Sequence, residues 1–260
     1  MTPLYSAAVP SEALLYRDFY YPLNVLLHVL TREEGAISYL HYGIFERDDE
    51  SIVIAQERST QLLLERLPKP PARLLDVGIG LATMLSRLLK LGYNVLGITP
   101  DDKQIAMARA RFGETLPIQQ AAFETFEGGP FDAVLFQESS QYIPSEPLFA
   151  RAKELTRRVI VFDEFATRPL DTPGALHALP EFLEAATRHG FEVTENVDVG
   201  PKAAPTIEYF MHRLNKHRQA ITADLGVTSQ QVDELIESGL RYRESYRQGV
   251  YTYRLMQFRR

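Results

Sequence analysis

The 260-residue chain contains no cysteine. Thiol nucleophiles, thiolate-held metals and disulfides are therefore excluded, and cysteine usage leaves the compartment open. Positive charge is not in excess either: 28 Lys and Arg stand against 34 Asp and Glu, a formal net charge of −6. That balance argues against binding to a phosphate backbone, so no nucleic-acid partner is expected. The basic run Arg254 to Arg260 reads as alternate residues of a strand facing water. Long apolar runs are missing as well. Residues 1–21 carry charges and no continuous apolar stretch, so neither a signal peptide nor a membrane span is expected, and cytoplasmic is the default location. No internal repeat or low-complexity tract stands out. What is present is an ordinary globular composition, 45% hydrophobic and 24% charged, in a chain long enough for one large domain with a lid.

Residues 1–67 are rich in aromatics, among them Tyr5, Tyr16, Phe19, Tyr20, Tyr21, Tyr39, Tyr42 and Phe45. Their last part, Ser51 to Leu67, predicts a helix that Ser51 caps. Leu67-Pro68-Lys69-Pro70-Pro71 breaks it, because proline lacks the N–H donor and its ring clashes with the preceding turn. We read residues 1–67 as an N-terminal helical lid and residues 68–260 as the main domain. From Arg73 onward short apolar runs alternate with amphipathic stretches. Strands are expected at Arg73 to Val77, Asn94 to Ile98, Pro117 to Gln120, Phe131 to Gln137 and Arg158 to Phe165. Helices are expected at Leu81 to Leu91, Asp101 to Phe112, Glu146 to Leu155 and Thr172 to His189, the last ended by Gly190. Alternation at this spacing implies an α/β, doubly wound, Rossmann-like sheet. After a strand at Glu192 to Val199, two helices form an insertion at about 204–248 before a final strand, Val250 to Phe258. The first carries the apolar stripe Ile207, Phe210, Met211, Leu214 and Ile221; the second opens with the capping-box spacing Thr228-Ser229-Gln230-Gln231.

The strongest chemical signal is Leu74-Leu75-Asp76-Val77-Gly78-Ile79-Gly80, a buried strand running into a glycine turn that opens a helix. Glycines let the backbone approach a ligand, and the helix N-terminus offers free N–H groups. A dinucleotide fingerprint needs a third glycine three residues after Gly80, but that position is Thr83. The spacing instead resembles the first motif of class I S-adenosylmethionine-dependent methyltransferases.

Further segments resemble one subgroup of that class, the cyclopropane-fatty-acid and mycolic-acid synthases together with tocopherol and sarcosine methyltransferases. Val95-Leu96-Gly97-Ile98-Thr99, followed by Gln104, resembles its second motif. Most class I members end this strand in an acid that grips the ribose; here Thr99 stands there, and the resemblance implies that Gln104 takes over, an amide that both donates and accepts. Ala122-Phe123-Glu124 resembles the adenine segment, with Phe123 against the base. Phe131 to Phe136 resembles the fourth motif, which puts Gln137 and Glu138 beside the methyl group. His41 to Asp49, then Ala55-Gln56, looks like the segment that covers the methionine end of the cofactor in the mycolic-acid synthases. The resemblance covers about residues 40–200. It implies S-adenosyl-L-methionine as cofactor, the strand order 3-2-1-4-5-7-6 with the last-numbered of seven strands antiparallel, and a helical lid. Cofactor-binding residues are then Tyr42, Asp76, Gly78, Gly80, Thr99, Gln104, Ala122, Phe123, Glu124 and Gln137. One departure matters: where cyclopropane synthases carry a glutamate-histidine pair that helps hold a bicarbonate base, this chain has Gln141-Tyr142, and the subgroup's cysteine is absent. Methylation of an ordinary nucleophile is favoured over cyclopropanation of an alkene.

Methyl transfer is an in-line displacement that needs orientation, exclusion of water and a free lone pair. A base is needed only for a protonated acceptor. Glu138, Tyr142 and His41 are the catalytic candidates, and Tyr209 a candidate substrate contact. Each has a plainer role open to it: Glu138 as a helix cap, Tyr142 as a packed phenol, most N-terminal tyrosines as lid core. His28, His177, His189, His212 and His217 read as surface or helix-face residues. Asp163-Glu164 would need a further clustered ligand to hold a metal, and none is expected. The expected partner is a small-molecule acceptor, apolar or aromatic; nothing in the sequence marks an oligomeric state. Two alternatives stand beside methyl transfer: cyclisation or elimination on the cofactor with release of methylthioadenosine, and cofactor binding without catalysis.

Overall fold

Four consecutive buried positions close the strand β1, Arg73–Val77, and only its first residue is exposed. A strand buried on both faces belongs in the middle of a covered parallel sheet. The computed structural model, which describes residues 16–47, 49–171 and 176–260, places it there. The other strands are β2 (Asn94–Thr99), β3 (Ile118–Gln120), β4 (Ala133–Gln137), β5 (Arg158–Ala166), β6 (Glu192–Asp198) and β7 (Tyr251–Arg259). They form one seven-stranded sheet in the order β3-β2-β1-β4-β5-β7-β6. β1 pairs in parallel with β2 and β4, and β7 runs antiparallel to both β5 and β6. Order and strand direction both match the expectation.

Alternate side chains of each strand enter opposite cores. Leu75, Val77, Phe136, Phe149, Phe182 and Phe258 share one face. Leu74, Leu85, Leu135, Phe162, Tyr253 and Leu255 share the other. The helices over these faces are α3 (Thr83–Lys90), α4 (Asp102–Phe112), α5 (Ser145–Leu155) and α6 (Leu179–Arg188). Asp101 caps α4 by accepting from the N–H groups of Lys103 and Gln104. The helix expected from Thr172 begins at Leu179. Residues 172–175 of that expectation lie outside the described residues, and Ala178 bridges to Ala166 in extended form instead.

The chain before the sheet contributes α1 (Leu23–Glu34) and α2 (Ile52–Leu64). Ser51 caps α2 by accepting from Val53 N–H. After β6 come α7 (Gly200–Ala203), α8 (Pro205–Lys216), α9 (Arg218–Leu225) and α10 (Ser229–Arg247). The short α7 precedes the expected insertion, and the pair of helices expected within it is three. The stripe from Ile207 to Ile221 is broken at His217, whose backbone turns there so that Leu214 and Ile221 enter one cluster with Val25 and Val29 of α1. α10 carries the expected capping box between Thr228 and Gln231. The first fifteen residues of the expected lid, Tyr5 among them, lie outside the described residues. From Tyr16 on, the N-terminal segment packs against both the main domain and the insertion: Leu27, Phe45 and Ile52 share a buried cluster with Leu81, Met107 and Tyr209. Of the surface or helix-face places expected for it, His28 takes the second: it lies on the buried face of α1, 2% exposed, with its ring nitrogens on Tyr16 Oη and Arg32 Nε. Among the described residues no helix is long and apolar enough to cross a membrane.

Candidate active site

Gly78 and Gly80 turn the chain from β1 toward α3 with φ of +75° and +50°, values that L side chains rarely adopt. Space at Gly78 matters as much as its φ. A Cβ there would meet Ser139 Cβ at 2.5 Å. Ser139 Oγ donates to Val77 O at 2.6 Å, tying the loop after β4 to the end of β1. Beside this turn lies a cavity of 520 Å³ at the carboxyl ends of β1, β2 and β4. Such a position, at the reversal of strand order in an open parallel sheet, is where α/β folds bind ligands.

Nearly all the sequence-predicted site residues line this one cavity: His41, Asp76, Gly78, Gly80, Thr99, Gln104, Ala122, Phe123, Glu124, Gln137, Glu138 and Tyr142. Tyr42 is the exception. Its ring stacks on Tyr253 behind the cavity wall, at 5.6 Å between centroids, and its backbone N–H donates to Glu138 Oε1 at 2.6 Å.

Two buried polar atoms in the lining have no partner, Asp76 Oδ2 and Gln137 Nε2. Asp76 is 3% exposed, and burial alone pushes its carboxyl up to about 7. Buried polar groups are almost always paired, so this acceptor and this donor stand open to a bound molecule. Thr99 Oγ1 donates to Gln104 Oε1 at 3.0 Å, which sets the amide at the end of β2. Phe123 is held edge-on by Phe136, centroids 5.0 Å apart, at the cavity's other end.

His41 is buried with both ring nitrogens engaged, Nδ1 at 2.9 Å from Tyr42 O and Nε2 at 3.1 Å from Thr60 Oγ1. Burial lowers its pKa to about 4, so the ring is neutral and its proton is committed to the backbone. Glu138 follows β4 with φ +53°, a strained conformation for a residue with a side chain. Its Oε1 accepts from Tyr253 Oη at 2.5 Å as well as from Tyr42 N–H. Burial holds its carboxyl well above the usual range, and the nearby Glu164 and Asp163 add to this against the pull of the two donors. It caps no helix: the next, α5, starts after Pro144 without a side-chain cap. Tyr142 is 79% exposed at the rim of the cavity, so the packed role open to it does not hold.

Tyr209 lies elsewhere. It is buried, donates to Glu34 Oε1 at 2.8 Å and borders a second cavity with Arg243 and Tyr246. Asp163 and Glu164 close β5 as structural carboxyls. Asp163 Oδ2 accepts from Ser140 Oγ at 2.7 Å and from Gln141 N–H, fixing the loop after β4. Glu164 Oε1 accepts from Tyr246 Oη at 2.5 Å. Among the described residues no group of three or more His, Asp or Glu is placed to hold a metal. Tyr253, which anchors Glu138, was missed in the sequence; its signal was the alternation Tyr251, Tyr253, Leu255 in the last strand.

Residues 75–159 match a family model described as a methyltransferase domain. The chain carries a class I, S-adenosylmethionine-dependent methyltransferase domain. Cyclopropane mycolic acid synthase 1 of Mycobacterium tuberculosis is 26% identical over 236 residues, 76% of this chain and 79% of that protein. Two solved structures share the fold. That of the mycolic acid cyclopropane synthase CmaA1, complexed with SAH and CTAB, has a TM-score of 0.73 at 21% identity and covers 95% of this chain and 93% of that one. That of the [4+2]-cyclase SpnF has a TM-score of 0.75 at 21% identity, with 92% and 93% covered. The methyltransferase domain's cofactor, S-adenosylmethionine, fits the donors and acceptors left open here: Asp76 suits its ammonium, and Gln137 Nε2 suits an oxygen.

Proposed function

We propose that this protein transfers the methyl group of S-adenosylmethionine to a small-molecule acceptor with Glu138 as the proton-handling group. The observation that carries the proposal is the buried, half-unpartnered Asp76 carboxyl at the head of the glycine turn, in the same cavity as Glu138. Asp76, the turn at Gly78 and Gly80, and Gln137 hold the amino-acid end of the cofactor. Thr99 and Gln104 hold the ribose, and Ala122, Phe123 and Glu124 frame the base. When bound, the cofactor supplies an electrophilic methyl carbon: the acceptor's lone pair forms the new bond as the carbon–sulfur bond breaks, its electron pair staying on sulfur. The chain's own part is orientation, exclusion of water and care of the acceptor's proton.

Glu138 takes that proton. Burial raises its pKa above the usual carboxylate range, so turnover should rise with pH as the carboxyl ionises. His41, neutral and bonded through both nitrogens, serves to shape the wall, and Tyr142 closes the rim over the acceptor. The absence of a glutamate-histidine pair at Gln141-Tyr142 supports an ordinary nucleophile over an alkene. Incubation with S-adenosylmethionine and a panel of acceptors, read by mass spectrometry, tests the proposal. S-adenosylhomocysteine with a methylated product is the expected result, and Glu138→Gln should slow its formation without weakening cofactor binding. Methylthioadenosine above the protein-free control would show chemistry on the cofactor itself. Cofactor bound but recovered intact with every acceptor would show a binding protein.

A further inference from the structure

Once the glycine turn, Asp76 and the Thr99–Gln104 pair are assigned to the cofactor, the rest of the cavity describes the acceptor. It is bounded by Tyr20, Leu23, Leu40, Tyr142, Ile143 and Glu138. Three are aliphatic and two are phenols that lie exposed at the rim. Among the described residues no lysine or arginine lines the cavity. Its ionisable groups other than phenols are the carboxyls of Asp76, Asp101, Glu124 and Glu138 and the imidazole of His41. His41 spends both nitrogens on Tyr42 O and Thr60 Oγ1 and offers no cation. Asp163 and Glu164 stand buried behind Glu138 and add negative potential from the same side.

Glu138 is built to present one oxygen. Its backbone is held at φ +53°, and both Tyr253 Oη and Tyr42 N–H converge on Oε1. Oε2 has neither of these donors, in a residue that lines the cavity. A buried charge without a partner is costly, and among the described residues no cationic side chain in this lining compensates a negative one.

Resting on the methyltransferase reading above, we propose that Glu138 selects the acceptor: an uncharged or cationic molecule whose reacting hydroxyl or amine donates to Glu138 Oε2, carried on an apolar or aromatic body that packs on Leu23, Leu40 and Ile143. Molecules with a carboxylate or phosphate at the reacting end are rejected.

The test is calorimetric binding to the full-length protein saturated with S-adenosylhomocysteine. The probes are 2-naphthol, 1-naphthylmethylamine and 2-naphthoate, which share one ring system and differ in the polar group. We expect the alcohol and the amine to bind at least tenfold more tightly than the carboxylate. In Glu138→Gln that gap should shrink below threefold, because the amide keeps the shape and loses the negative charge, while affinity for S-adenosylhomocysteine stays as in the wild type. Wild-type affinity that does not fall from naphthol to naphthoate overturns the assignment, whether or not the variant folds. A gap unchanged in a folded Glu138→Gln variant overturns the role of Glu138. Absence of S-adenosylhomocysteine binding sinks the methyltransferase reading itself, and this proposal with it.

Discussion

Asp76 ties protonation to binding. Its carboxyl titrates at about 7 because burial disfavours the charge and no partner restores it. In the proposed site the cofactor's ammonium would restore it, so cofactor binding should lower the pKa and release a proton. Affinity for S-adenosylmethionine should therefore climb as pH rises toward about 7 and level off above. Calorimetry in buffers of different ionisation enthalpy measures the proton directly; no buffer dependence near pH 6.5 would mean that Asp76 is not the ammonium's partner. Asp76→Asn should weaken binding by about 2–3 kcal/mol, the scale of a hydrogen bond to a charged group. Gln104→Ala removes uncharged hydrogen bonds and should cost about 1–2 kcal/mol of cofactor affinity; an unchanged dissociation constant would take the ribose away from Gln104. Gly78→Val acts on structure as well as on binding, since its side chain would enter the space of Ser139. That Asp76 and the glycines line one cavity was legible in the sequence, because a strand-to-turn motif places them by local geometry; Gln104 and Glu138 line it too, as the family resemblance implied. Their partners were not legible: Tyr253 lies 115 residues from the Glu138 it holds, and no short-range pattern encodes that contact.

Among the elements, those with strong local signals follow the sequence closely. β1 keeps its expected bounds, and α10 opens on the capping box that Thr228 and Gln231 spell out. Thr228→Ala should cost about 1 kcal/mol of stability, read as a fall in thermal midpoint with cofactor affinity unchanged. Where packing outweighs periodicity the sequence was a poorer guide. α1 was visible only as aromatic-rich chain, although Val25, Leu27, Val29 and Leu30 are buried along it. The single helix expected across Ile207 to Ile221 is two helices, because a turn at His217 brings both halves of the stripe onto α1.

Across the molecule, buried acids govern pH behaviour. Asp163 and Glu164, with Asp76, have carboxyls raised by burial to about 6, 7 and 7. An acid whose pKa is raised on folding favours the folded state below its unfolded value, near 4, and loses that contribution as pH rises through the folded value. The cofactor-free protein should thus lose thermal stability between about pH 5 and pH 8, and S-adenosylmethionine should restore the share due to Asp76. A thermal midpoint that rises over this range would contradict the buried-acid account. Ile221→Ala, in the cluster joining α1 to the inserted helices, should cost about 2–4 kcal/mol and loosen amide protection in α1 and α9 together. By itself the sequence determined the doubly wound sheet and the glycine turn that opens the proposed cofactor end of the cavity, since both rest on residues close together in the chain. Only the tertiary structure shows the walls of the proposed acceptor end. Glu138, its anchor Tyr253 and the wall at Leu23 and Leu40 come from four distant segments, and contacts across such distances are made by packing and not by local pattern.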